Sequence, residues 1–245
     1  MKKLLVIGGL IWMIFSLTVS AREKAETDTV KTSGGALKIT FIGHGTLMLT
    51  FEGMVIHVDP WSRLADYAKL PKADIILITH HHRDHLDPVA VKRLLAKKTA
   101  LVLTETCSKK LKGGVVMKNG DLKTIKGLKI EAVPAYNLVH MRSEGIPYHP
   151  KGQGNGYVIT FANKRVYVAG DTENIPEMKR LEKIDIAFLP MNLPYTMTPK
   201  MVAGAAKMFQ PKILYPYHYG DTDVSKLVNL LKEEKEIEVR IRKMK

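Results

Sequence analysis

Short apolar runs separated by Gly, Pro, Asn and Asp set the pattern of this chain, and most carry the two-residue period of strands. Leu37–Ile42 alternates and reaches Gly43-His44-Gly45. Thr46–Phe51 stays extended, a turn follows at Glu52-Gly53, and Val55–Val58 ends at Asp59-Pro60. These segments predict an antiparallel meander. Ala73–Thr79 is apolar on both faces, so layers must cover it above and below. Asp87-Pro88 supplies a capping carboxylate and then Pro at the first helical position, and Val89, Val91, Leu94 and Leu95 give that helix an apolar stripe. Ala100–Thr104, Val115–Ile125 and Leu128–Val133 predict further strands, with a short helix at Ser108–Leu111.

The second half repeats the scheme. Tyr157–Phe161 and Val166–Ala169 flank the turn Ala162-Asn163-Lys164 and predict a hairpin. Helices are expected at Pro176–Lys183, from the Thr198-Pro199 cap to about Phe209, and at Val224–Lys235. Strands are expected at Ile184–Leu189, Ile213–Tyr217 and Ile237–Ile241. A meander followed by strand–helix alternation therefore occurs twice. That predicts an α/β fold of two mixed sheets packed together with helices outside, in one domain over residues 36–245.

Residues 1–35 read differently. Lys2 and Lys3 precede the apolar Leu4–Val19, and Val19-Ser20-Ala21 offers small residues for cleavage, so residues 1–21 have the composition of a secretory signal peptide. The apolar stretch is short against the roughly 20 residues of a spanning helix, which favours cleavage over an uncleaved anchor. A periplasmic or secreted location follows. Residues 22–35 are polar and are expected to form a loose leader.

The formal net charge is +14; Lys2 and Lys3 are the only charged residues in 1–21, so cleavage leaves +12. A basic protein favours anionic partners, and contact with a membrane surface stays open. The lysines are spread along the chain, however, and no basic stripe is interleaved with aromatics, which disfavours nucleic acid. A small-molecule substrate is expected, with the oligomeric state open. Cys107 is the only cysteine. It can form no internal disulfide and no Cys-rich zinc site, and it reads as buried filler.

The densest chemistry is Thr79-His80-His81-His82-Arg83-Asp84-His85, directly after Ile75-Ile76-Leu77-Ile78. Four candidate ligands (His80, His82, Asp84, His85) stand at the mouth of a buried strand. Imidazole and carboxylate together suit Zn²⁺, and also Mn or Fe. Gly170-Asp171-Thr172 and Tyr217-His218-Tyr219 each place a further donor at a strand end. Alone, Asp171 reads equally as a turn residue and His218 as a packed ring.

His-x-His-x-Asp-His after a buried strand, Gly-Asp after a later hairpin and His after a penultimate strand together resemble the metallo-β-lactamase superfamily, over Leu37 to about Arg242. Gly43-His44-Gly45, Val58-Asp59-Pro60 and Ala169-Gly170-Asp171-Thr172 look most like the branch containing the L-ascorbate-6-phosphate lactonase and its metal-dependent hydrolase relatives. The resemblance implies an αβ/βα sandwich with two divalent ions at one sheet edge, Zn²⁺ being expected first. It implies that His80 and His82 hold the first ion, that Asp84, His85 and His218 hold the second, that Asp171 bridges, and that Asp59 orients a ligating imidazole.

The family usually places a third histidine of the first site where this chain has Asn137. His140 and His149 are the candidates to complete that site, and His149 is preferred because a loop can return it. Asn137 is then a weak ligand or a hydrogen-bond partner. His44 faces the pocket, His57 belongs to the core and His81 points away. Tyr136, Tyr217 and Tyr219 can make polar contacts, with packing as their main role.

The expected activity is exported, metal-dependent hydrolysis of a small ester, lactone or phosphoester. A metal-activated hydroxide, oriented by Asp84 as catalytic residue, would attack carbonyl or phosphorus. The alternatives are a phosphodiesterase on phospholipid or nucleic acid, and a non-catalytic exported metal-binding protein. β-Lactam hydrolysis fits export, but the Gly-Asp and Gly-His-Gly contexts do not match it.

Overall fold

Sixteen strands in the computed structural model, which describes residues 25–245, form two seven-stranded sheets and one small hairpin. The signal segment 1–21 and the first leader residues lie outside the described residues. The first sheet runs in chain order: β1 (Glu26–Thr32), β2 (Gly35–Gly43), β3 (Thr46–Phe51), β4 (Met54–Val58), β5 (Ile75–Leu77), β6 (Ala100–Leu103) and β7 (Val115–Val116). β1 to β4 are antiparallel; β4 to β7 are parallel. Helices α1 (Pro88–Leu94) and α2 (Glu105–Ser108) provide the crossovers.

The second sheet contains β8 (Leu122–Ile125), β9 (Leu128–Ala135), β12 (Gly154–Phe161), β13 (Lys164–Val168), β14 (Ile186–Pro190), β15 (Ile213–Tyr217) and β16 (Glu238–Val239), in the order β16-β15-β14-β13-β12-β9-β8. Between β9 and β12 the chain makes the separate hairpin β10 (Met141–Ser143) and β11 (Ile146–Pro147). A 3₁₀ turn at Pro176–Arg180 and helices α3 (Pro199–Phe209) and α4 (Ser225–Leu231) cover the outer face. The second sheet is antiparallel through β13 and parallel from β13 to β16.

The main core lies between the sheets. Leu37, Ile39, Leu47, Leu49, Ile56 and Leu77 meet Tyr157, Ile159, Phe161, Phe188 and Tyr215 there. Each such side chain contributes about 1.5–3 kcal/mol on burial. Val91 and Leu94 of α1 cover the outside of the first sheet; Val202, Ala206 and Phe209 of α3 cover the second. The result is the expected αβ/βα sandwich. Thr198 caps α3 through the Met201 N–H, and Asp87 caps α1 through Val89 and Ala90, as their sequence positions predict.

Three expectations change. The leader is not loose over 26–32: β1 pairs with β2 from Glu26↔Phe41 to Thr32↔Gly35. Its alternation is half-buried and mostly polar, so period alone hides it. What ties it down is distant in sequence: Asp28 accepts from Tyr215 Oη at 2.5 Å and from Arg242 Nη2 at 2.7 Å. The run 115–125 is not one strand. It crosses from the first sheet to the second, and Asp121 Oδ2 accepts from the Lys118 N–H in the turn between. The short helix after β6 begins earlier than expected, at Glu105, because the Thr104 hydroxyl caps it by accepting from the Cys107 N–H.

Candidate metal centre

Strand ends converge at one edge of both sheets. His44 follows β2, Asp59 follows β4, the segment 80–85 follows β5, Asn137 follows β9, Asp171 follows β13 and His218 follows β15. The backbone there is forced. His44, Asp59 and His218 have φ of 52°, 45° and 46°, the left-handed region that costs a non-glycine residue about 1–3 kcal/mol. Gly45 lets the first sheet approach closely, since a Cβ there would come within 2.8 Å of His85 Cε1.

Two groups of donor atoms result. His80, His82, His149 and Asp171 form one; His44, Asp84, His85 and His218 form the other; within each group all donor atoms lie within 4.8 Å of one another. Asp171 joins them. Its Oδ2 lies 3.2 Å from His149 Nε2, 3.5 Å from His85 Nε2, and 3.7 Å from both His80 Nε2 and His218 Nε2. His85 Nε2, Asp171 Oδ1 and both ring nitrogens of His218 are buried without a hydrogen-bond partner. Buried polar atoms are rarely left so. A nitrogen-and-oxygen donor set around such orphaned atoms fits divalent transition metals.

Support comes from outside the two groups. Asp59 is fully buried, and its Oδ2 accepts from His85 Nδ1 at 2.8 Å and from the Thr79 hydroxyl at 2.6 Å. The Thr79 oxygen in turn accepts from His80 Nδ1 at 3.0 Å. One carboxylate therefore turns two imidazoles so that both Nε2 atoms face Asp171. The opposite side uses an amide. Asn137 Oδ1 accepts from His149 Nδ1 at 2.6 Å, while its Nδ2 donates to Glu173 Oε1 at 3.0 Å and to the Tyr195 carbonyl at 2.9 Å. Glu173 also accepts the N–H groups of Leu138, Val139 and His140.

His149, the preferred histidine, is thus brought to the centre, and Asn137 stands behind it. His140 is turned away, its Nδ1 2.7 Å from Glu173 Oε1. His44 joins the second group: its Nε2 lies 3.0 Å from Asp84 Oδ2, and its ring is 3.7 Å from that of His218. His57 is core, as expected. Tyr136 and Tyr219 bond away from the centre, to Glu177 and the Arg242 carbonyl, and Tyr217 bonds the Gly170 carbonyl. A cleft of about 470 Å³ opens over both groups, and its far wall is Arg142, Tyr148, Asn192 and Tyr195. Sequence reasoning missed all four; they lie in loops or the small hairpin, where no hydrophobic period or motif marks them.

The electrostatics suit cation binding. Burial, and then the neighbouring charge of His85, holds His80 well below the usual imidazole range; burial and His149 take His82 to about 4. Both rings keep their lone pairs at neutral pH. Burial alone would raise Asp171 and Asp84, but the surrounding histidines outweigh it and keep both ionised.

The family model described as Beta-lactamase superfamily domain matches residues 38–218. A UPF0173 metal-dependent hydrolase of Koribacter versatilis is 32% identical over 198 residues, covering 75% of this chain and 84% of that protein. One from Thermococcus onnurineus is 33% identical over 196 residues, with coverage of 75% and 85%. The crystal structure of a protein described as a metal-dependent hydrolase from Parabacteroides distasonis has 55% identity and a TM-score of 0.87, covering 90% of this chain and all of that one. Igni18, described as a metallo hydrolase from Ignicoccus hospitalis, has 26% identity and a TM-score of 0.69, with coverage of 84% and 94%.

Proposed function

The chain belongs to the β-lactamase superfamily as a metal-dependent hydrolase, and from that premise we propose that it hydrolyses a small ester, lactone or phosphoester outside the cytoplasm. The observation that carries this reading is the pair of donor groups meeting at Asp171 Oδ2 beneath an open cleft. His80, His82 and His149 would hold one divalent ion, Asp84, His85 and His218 the other, and Asp171 would bridge. Zn²⁺ is the first expectation, and Mn or Fe suit the same donors. When bound, such ions supply Lewis acidity and make water a nucleophile near neutral pH.

The protein's own groups do the rest. Asp59 and Asn137 hold ligand imidazoles in the required tautomer and orientation. Asp84, a third exposed to the cleft and hydrogen-bonded to His44, would orient the attacking water. The Gly43-His44-Gly45 and Gly170-Asp171-Thr172 likeness to the lactonase branch keeps lactones and phosphoesters beside simple esters. The signal-like segment 1–21 supports export.

The basic charge favours a second reading, a phosphodiesterase acting on phospholipid at a membrane surface, with nucleic acid ranked below it. The non-catalytic reading rested on Asn137, and that residue now has a use in holding His149.

The test is metal analysis together with hydrolysis of ester, lactone and phosphodiester panels, for the wild type, His80→Ala and Asp84→Ala. Two ions per chain and loss of both metal and turnover in His80→Ala are expected. Full activity in metal-free protein would sink the reading. Fractionation of cells producing the full chain tests the location.

A further inference from the structure

Arg165, Arg240 and Arg242 each lie against a carboxylate: Glu131, Glu238 and Asp28. Arg142 differs. Among the described residues no carboxylate lies within ion-pair distance of it, yet it lines the cleft above the donor groups. It sits on β10, and its guanidinium carbon is 5.8 Å from the centroid of the Tyr148 ring, which Tyr195 meets edge-on at 5.0 Å. Its Nη2 is 3.3 Å from His82 Nε2, the far side of a ring whose Nδ1 faces His80 Nε2 at 3.1 Å.

We propose that Arg142 is the anion-recognition residue of this cleft, and that the substrate carries a carboxylate or phosphate close to the bond that is hydrolysed. The proposal rests on the hydrolase reading above and adds the substrate class to it. The guanidinium offers a planar fork of donors that matches either anion in a bidentate pair. Its place, one imidazole width from the inward-facing nitrogens, sets where that anion must lie. When His82 presents its Nδ1 lone pair to a cation, its Nε2 carries the ring proton and cannot accept from Arg142. The guanidinium donors are then free for a ligand. The other groups lining the cleft agree: apart from Asp84 and Asp171 of the centre itself, they are uncharged or imidazole. No acidic side chain on the far wall would repel an anion.

The test uses the metal-loaded full chain, with Arg142→Ala and Arg142→Lys. Binding of inorganic phosphate and of acetate is measured by calorimetry at fixed ionic strength, with metal content checked in each variant. Arg142→Ala should weaken at least one anion roughly tenfold or more, as expected for a lost charge-assisted pair. Metal content should be unchanged, and Arg142→Lys should recover part of the loss. The anion that loses more identifies the source as phosphate or carboxylate. In hydrolysis, the half-ester of a dicarboxylic acid should show a raised KM in Arg142→Ala, while the matching neutral ester does not. Unchanged affinity for both anions, or equal losses on acidic and neutral esters, would overturn the assignment. If the wild type hydrolyses nothing, the hydrolase reading fails, and the anion-binding measurement still decides the role of Arg142.

Discussion

The two sides of the candidate metal centre are built differently. On one side, His80 and His85 lie in the short segment that follows β5, His85 in a turn, and both are held by Asp59, a buried carboxylate at the end of β4 that reaches His85 directly and His80 through Thr79. On the other, His149 arrives on a loop and is held by the neutral amide of Asn137, itself fixed by Glu173 and the Tyr195 carbonyl. The strand-end side keeps its ligands within six residues of chain and needs one buried charge. The loop side spends a charge, Glu173, on folding the loop, and passes only a hydrogen bond to the ligand. A short turn anchored on adjoining strand ends can seat its donors with a single support; a long loop needs its own internal framework first.

Breaking the strand-end support should have the largest effect. Asp59→Ala leaves the Thr79 N–H, the Thr79 hydroxyl and His85 Nδ1 without their buried acceptor. The expected cost is about 3 kcal/mol or more in stability, with both ions lost or weakened by about 100-fold. Denaturant unfolding and metal stoichiometry measure this. A variant that keeps both ions would show that the two sides do not differ as described.

Acid separates the centre from its frame. His57 lies in β4, its Nε2–H donates to the Pro71 carbonyl at 3.2 Å, and burial depresses it to about 4. Unfolded, it binds a proton near its ordinary value of about 6.5; folded, it refuses one until about 4. Between these values the unfolded state holds more protons, so stability rises with pH and is lost as pH falls through that window. The loss is on the order of 3 kcal/mol. Urea unfolding at pH 7, 5.5 and 4 should show a shallower fall for His57→Gln than for the wild type. Equal slopes would locate the acid sensitivity elsewhere.

A smaller and one-sided effect is expected from Asn137→Ala: about tenfold weaker binding of one ion, with the other retained. Equal weakening of both ions would mean that the loop supports the whole centre. The smallest change should come from the part-exposed pair of Lys207 on α3 and Glu234 in the turn after α4, 2.9 Å apart. Lys207→Ala should shift stability by less than about 1 kcal/mol and leave metal content untouched. A larger shift would show that the outer helices tighten the centre from behind.

The comparison also separates what could be read along the chain from what could not. The meander, the buried strand before Thr79, the Thr198-Pro199 cap and the His-x-His-x-Asp-His run all carry local signals: a period, a cap, a ligand spacing. They appear where expected. β1 was missed because its partners, Tyr215 and Arg242, lie nearly the whole chain away. Arg142, Tyr148, Asn192 and Tyr195 were missed because cleft walls on loops obey no period.

The sequence by itself determined the layered α/β architecture, the donor types and the strand ends at which most donors appear, because hydrophobic period and short-range spacing follow directly from backbone geometry. Only the tertiary structure decided that His149 rather than His140 reaches the centre, that Asn137 stands behind it, that Asp59 serves His85 directly and His80 through Thr79, that His44 joins Asp84 and His218, and that an arginine overlooks the cleft. Each of those choices depends on the distance between atoms far apart in the chain, and packing two sheets face to face, with their strand ends at one common edge, is what sets that distance.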